Sequence, residues 1–159
     1  PIIDAAAGNK PLVLTPNIPA LVMGAENTPQ EIRMSGVRVA KFEIKKGAKE
    51  NLSNDFPIFR YADILLMKAE ARIRQGLNGD QWVNEIRQRA GLGTWSNTTL
   101  DQLLEERGRE MFWEAHRRQD LIRFGKFNNA WWEKAQSTPD RKVFPIPQWA
   151  IDKNPNLAN

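Results

Sequence analysis

A chain of 159 residues, 41% hydrophobic and 26% charged, has the make-up of one globular domain or part of a larger one. Its formal charge of +4 comes without a Lys/Arg run: Lys45 and Lys46 form only a polar turn before Gly47, so the surface reads as mildly basic and solvated rather than as a nucleic-acid stripe. The absence of cysteine excludes disulfides, thiolate metal sites and a cysteine nucleophile, and no apolar run is long enough to span a bilayer.

Residues 1–57 are rich in Pro and Gly and weakly patterned. Leu12 to Leu14 suggest a short extended run. Ala40, Phe42 and Ile44 alternate with Lys41, Glu43 and Lys45 as a half-buried strand would. This segment is expected to be loop with one or two short β-strands, belonging to the same domain as a helical region over 58–159.

The pattern changes near Phe59. Ile58, Ala62, Leu65, Leu66, Ala69 and Ile73 recur at helical spacing until Gly76 supplies a stop. Asp80 is placed to cap a second helix, whose apolar face is Val83, Ile86 and Ala90 before Gly91. Two helices and their turn over about 34 residues make a tetratricopeptide-like hairpin in length and architecture. Thr99 and Gln102 then form a capping box, opening a third helix expected to run to about Phe124. A short helix at Asn129–Ala135 would carry Trp131 and Trp132, with adjacent side chains about 100° apart. Beyond Pro139 the chain should extend through Val143 to Pro147, which suits the start of a last short helix ended by Asn154–Pro155. The fold class is therefore mainly α.

The third helix carries the densest signal. On a helical wheel Leu100, Leu103, Leu104, Met111, Ala115, Leu121 and Ile122 share one arc, and Arg107, Glu114 and Arg118 fall inside it. Charges on a core-facing stripe are costly unless paired and hydrogen-bonded, so an internal ion network is expected. Its members on this segment are Glu106, Arg107, Glu110, Glu114, Arg117, Asp120 and Arg123. A glycosidase reading of these carboxylates needs two acids facing each other across about 5–10 Å with one pKa raised. Acids at i, i+4 interleaved with arginine are instead neutralised and held ionised. His116, the one histidine, has no recognisable partner for a zinc site or a triad.

Six tryptophans offer flat faces that stack on sugars or pack into cores. Trp131, Trp132 and Trp95, the last in a Gly-Thr-Trp-Ser-Asn loop, are the candidates for ligand contact. Trp82, Trp113 and Trp149 read as helix-packing residues.

Three blocks give the chain a resemblance: Pro57-Ile58-Phe59-Arg60-Tyr61-Ala62-Asp63-Ile64-Leu65-Leu66-Met67 with Ala69-Glu70-Ala71; Asn84-Glu85-Ile86-Arg87-Gln88-Arg89-Ala90-Gly91; and Glu106-Arg107, Glu110, Glu114, His116-Arg117 and Asp120-Leu121-Ile122-Arg123, followed by Pro145-Ile146-Pro147 and Asn154-Pro155-Asn156-Leu157. In this order they resemble the C-terminal part of the SusD/RagB family of outer-membrane nutrient-binding lipoproteins, over roughly the last hundred residues. Two departures stand out: Ala115 where the family usually has Gly, and Arg118-Gln119 in place of a commonly aromatic pair. With Ala the better helix former, these departures put little in doubt about the fold and bear on how the helix end packs against its neighbours.

The resemblance implies tetratricopeptide-like helical hairpins with long loops. It also implies non-catalytic binding of glycans at the bacterial surface, as the lid of a SusC-like TonB-dependent transporter, with a lipid anchor on an upstream part of the same protein. It brings in Arg60, Glu70 and Arg89 as partners of the charged helix; with no ligand set in the residues, no metal or cofactor is expected. A peptide-binding or purely protein-docking scaffold is the alternative that this reading leaves open.

Overall fold

In a computed structural model, residues 3–5, 8–15, 34–43, 45–53, 55–131 and 134–158 are described. Their contacts group into two units, Pro1–Ser53 and Asn54–Asn159.

In the first unit, β1 (Ile3–Asp4) and β2 (Lys10–Pro11) pair antiparallel, with Ile3 opposite Pro11 and Asp4 opposite Lys10. Gly8 and Asn9 both take left-handed φ, the conformation a tight reversal needs, and Asn9 N–H donates to Asp4 O at 2.9 Å. Thr15 bridges Ser35 in parallel. The strands therefore lie elsewhere than the alternation suggested. Residues 12–14 and 40–43 form no strand, Ala40 is exposed, and Ile44 lies outside the described residues. Alternation marks a half-buried face, but a strand also needs a second edge to complete its hydrogen bonds.

The second unit is helical. Helix α1 (Tyr61–Arg74) begins after the extended Arg60 and buries Ala62, Asp63, Leu65, Leu66, Ala69 and Glu70. Ile58, expected on its face, lies before the first turn and is exposed. The helix ends at Gly76 (φ +72°), with Leu77 N–H reaching back to Arg72 O at 2.9 Å.

Helix α2 (Asp80–Arg89) folds back on α1, burying Val83, Ile86 and Arg87, while Ala90 is exposed just past its end. The reversal is close. A Cβ on buried Gly79 would come 2.9 Å from the carbonyl oxygen of Ala69, so only glycine fits there. Asp80 is the first residue of α2 and does not cap it. Its carboxylate accepts from the backbone N–H groups of Asn97 and Thr98, each at 2.8 Å, and so fastens the loop before the next helix.

Helix α3 (Leu100–Glu110) opens on the Thr99–Gln102 capping box, with both reciprocal bonds formed. Leu103 joins Ala62, Leu65, Leu66, Ala69, Val83 and Ile86 in the core, and Ile73, Trp82, Trp95, Leu100 and Phe124 pack around it.

The continuous helix expected to Phe124 is two helices. α3 stops at Glu110, residues 111–115 turn, and α4 (Arg117–Arg123) follows. The ion pairs require this break. Within one straight helix Arg107 and Asp120 would lie about 20 Å apart along the axis, whereas Arg107 Nε donates to Asp120 Oδ2 at 2.9 Å. Trp113 (φ +65°) and Ala115 (φ +63°) take the left-handed conformation that makes the reversal.

Ala115 consequently lies in neither a helix nor the core but is exposed on the turn, and the greater helix propensity of Ala is irrelevant there. Left-handed φ costs an L-residue roughly 1–2 kcal/mol, partly offset by glycine's greater loss of entropy on folding. Ala115→Gly is accordingly expected to stabilise the unit by about 0.5–1 kcal/mol. The measurement is the urea midpoint, and a fall would contradict this turn geometry.

The stretch expected as a helix at 129–135 is also different. Trp131 and Lys134 exchange backbone hydrogen bonds at 3.1 and 3.0 Å as an isolated antiparallel bridge. After a 3-10 turn at Pro139–Lys142, Pro147 precedes α5 (Gln148–Lys153), and Pro155–Leu157 makes a final 3-10 turn.

Asp80 gives this unit a defined response to acid. Burial pushes its carboxyl up, but hydrogen bonds from Thr98, Asn78 and Asn97 outweigh burial and lower it from 3.8 to about 2. A lowered folded-state pKa contributes stability that is complete above the unfolded value and is lost as pH falls through the folded one. After allowing for solvent screening, that contribution is about 1 kcal/mol. The stability gap between the native protein and Asp80→Asn should hold above pH 4 and close towards pH 2; a gap independent of pH in urea titrations would refute the assignment.

Candidate functional site

The charged side chains of the second unit assemble into three connected groups. The first is the most deeply buried. Arg107, 2% exposed, donates through Nε to Asp120, itself 1% exposed. Its Nη1 stands 2.9 Å from Asp63 Oδ1, close in distance but off the hydrogen-bonding line. Asp120 also accepts from Arg123 Nη2 at 2.7 Å, and Arg123 grips Glu70 with two parallel bonds of 2.9 Å. Arg74, one turn along α1, completes the series on Glu70 at 2.8 Å. A single chain of charge thus runs through α1, α3 and α4.

The electrostatic consequence is read at the Glu70–Arg123 pair, where each partner favours the other's charged form. Burial pushes Glu70 up, but Arg123 and Arg74 outweigh it and hold its pKa below the ordinary value. The bonds from Arg123 to Glu70, with Asp120 adding to them, raise the arginine further against the cost of its burial.

The second group centres on Arg60, which donates to both Glu110 and Glu114 and contacts Met111 Sδ at 3.2 Å. Arg89 at the end of α2 reaches both oxygens of Glu110, at 2.6 and 2.7 Å. Burial lowers the Arg60 pKa, but hydrogen bonds to Glu114 and Glu110 reverse that and leave it raised. In the third group Arg87 pairs with buried Glu106 at 2.7 Å, and Arg109 reaches the same oxygen at 2.8 Å.

Arg117 stands apart. It donates to the main-chain carbonyl of Leu104 at 2.7 Å and has no carboxylate partner among the described residues. Arg118 likewise meets the carbonyls of Arg141 and Lys142.

Sequence reasoning missed Asp63, Arg74, Arg87 and Arg109. The i, i+4 spacing of Glu70 with Arg74 and the i, i+3 spacing of Glu106 with Arg109 would have flagged two of them. Asp63 and Arg87 face partners on other helices, which spacing within a helix cannot reveal.

The tryptophans divide differently from the sequence reading. Trp95 is half-buried against the core, its backbone exchanging bonds with the Asn84 side chain at 2.7 and 2.8 Å. The Arg87 guanidinium covers its ring at 3.8 Å, so one face is already occupied. Trp131 is 48% exposed with Lys134 Nζ 4.2 Å above the ring. Trp132 lies outside the described residues. Trp82 packs on the core as a helix-packing residue should, whereas Trp113 and Trp149 are 63% and 65% exposed. His116 lies at the start of α4, half-buried. Among the described residues no cluster of His, Asp and Glu is placed to hold a metal ion, and no helix is long and apolar enough to cross a membrane.

Comparison with known proteins gives a consistent picture. The profile described as the SusD family matches residues 22–140. Starch-binding protein SusD of Bacteroides thetaiotaomicron is 37% identical over 114 residues, covering 65% of this chain and 21% of that protein. Two SusD-like proteins of Formosa agariphila are each 29% identical, over 138 and 148 residues, covering 76% and 80% of this chain and 26% and 29% of theirs. The chain spans less than a third of the length of the curated relatives it matches.

Proposed function

The chain belongs to the SusD family, and from that membership we propose that its protein binds glycans at the bacterial surface without transforming them. In this reading the parent protein sits on the outer membrane through a lipid anchor upstream and delivers its ligand to a SusC-like TonB-dependent transporter. The observation that carries the proposal is the 37% identity to a protein named for starch binding. The charge geometry supports the non-catalytic part. Glu106, Glu110 and Asp120 each lie within 2.6–2.9 Å of a guanidinium, and Arg60 bonds Glu114. These carboxylates are taken up by guanidinium groups of neighbouring helices, whereas the acids of a glycosidase face each other across an open cleft.

The test is affinity electrophoresis of the full-length protein through gels containing a panel of polysaccharides. Retardation by one glycan at constant ionic strength is the expected result. Migration unchanged by every polysaccharide would count against capture and favour the protein-docking alternative. The outward face of α1, where Tyr61, Ile64 and Met67 are exposed, is the feature that favours that alternative.

A further inference from the structure

The turn between α3 and α4 forms one wall of an open cleft of about 840 Å³, lined among others by Arg109, Phe112, Trp113, Arg117 and Arg118. Phe112 and Trp113 are 53% and 63% exposed, and Trp113 is held out by a left-handed backbone that a bulky residue seldom adopts. The cleft's cations are not equally compensated. Arg107 faces Asp63 and Asp120, and Arg109 faces Glu105 and Glu106. Arg117 and Arg118 direct their hydrogen bonds to main-chain carbonyls and pair with no carboxylate among the described residues, so two positive charges stand in the cleft without an acidic partner.

Arg117 is also held in a made-to-measure seat. Its guanidinium lies against Gly108 in the last turn of α3, where a Cβ would come 2.7 Å from Nη1. Glycine inside a helix costs about 1 kcal/mol relative to alanine, and its benefit here is that the guanidinium can approach the helix backbone.

We infer that this cleft is a subsite for a sugar carrying a carboxylate or sulfate group, with the anion at Arg117 and a pyranose face on Trp113. The inference rests on the glycan-binding reading above and adds the chemical class of the ligand. An arginine fork offers parallel donors to a planar carboxylate or to a sulfate, and a tryptophan ring offers a flat apolar face to the ring carbons. Arg118 holds one side of the cleft, stacked between Phe127 and Phe144 at 4.6 Å from each.

The experiment is titration calorimetry of the full-length protein with tetragalacturonate, a sulfated carrageenan tetrasaccharide and neutral maltotetraose. At least one acidic probe should bind tenfold or more tightly than maltotetraose, with a preference that shrinks as salt rises; which one does identifies carboxylate or sulfate as the anion. Arg117→Gln should abolish the preference. So should Gly108→Ala, which displaces the guanidinium while favouring the helix, so that lost folding is not the explanation. Trp113→Ala should weaken the bound acidic probe at least fivefold. Equal affinity for the three tetrasaccharides, no binding of either acidic probe, or a preference that survives both Arg117→Gln and Gly108→Ala would overturn the subsite. If a polysaccharide retards the protein in gels while any of these holds, capture stands and only the acidic subsite falls.

Discussion

Arg107→Ala should cost the helical unit about 3–5 kcal/mol, the range for removing one partner of a buried ion pair. Arg107 is 2% exposed and touches two carboxylates, Asp63 at 3% and Asp120 at 1% exposure, so its loss takes the cation from buried Asp63 and leaves Asp120 with Arg123 alone. Arg107→Lys should recover only part of the loss, because one ammonium cannot reproduce the guanidinium's reach to both acids. The informative control is the triple change Arg107→Met, Asp63→Leu, Asp120→Leu. Replacing a buried ion triad by apolar side chains is often neutral or stabilising, and Arg123 keeps its two bonds to Glu70, so the triple variant should lie well above the single one in urea denaturation. If Arg107→Ala moved the midpoint no more than a typical surface change, within about 0.5 kcal/mol, the buried network would not exist in solution.

The second large effect is expected at Leu66, fully buried at the centre of the core between α1, α2 and α3. Leu66→Ala should cost about 3–4 kcal/mol, the lost transfer free energy plus the cavity it leaves. Leu66→Met, nearly equal in volume, should cost less than about 1.5 kcal/mol. Similar losses for the two variants would mean that size is not what the site requires, contrary to the packing described here.

The two predictions lie on opposite sides of what the amino-acid order makes legible. Leu66 could be placed from spacing alone, because Ala62, Leu65, Leu66 and Ala69 recur at helical period and local periodicity is what an amphipathic helix writes into its sequence. The capping box at Thr99–Gln102 was legible for the same reason: both partners lie within one turn. The break at 111–115 was not. Neither Gly nor Pro marks it, and continuous helical spacing argues against it. It is dictated by pairs thirteen residues apart, Arg107 with Asp120 and Leu104 with Arg117, which only a folded-back chain can make. Asp80 misled in a related way, since the signature of a helix cap was present but its hydrogen bonds go to a loop 17 and 18 residues later. Among the tryptophans, the sequence marks out flat faces but not what covers them. Trp95 is closed by Asn84 and Arg87 from the preceding helix, and Trp113 is opened by a turn that the helical pattern conceals.

The separation of charged partners along the chain has a further consequence, for rates. The α1–α2 hairpin joins segments close in sequence, whereas Arg60 and Glu114 are 54 residues apart and Glu70 and Arg123 are 53 apart. Closing loops of that length carries an entropy cost that must be met before the ion pairs return anything. The charged seam is therefore expected to form late, after the folding barrier has been crossed. Weakening it, for example by Glu70→Gln, should leave the refolding arm of a chevron almost unchanged and steepen loss of the native state, because interactions absent from the transition state act mainly on unfolding. The ion network then sets how long the folded unit lasts rather than how quickly it forms.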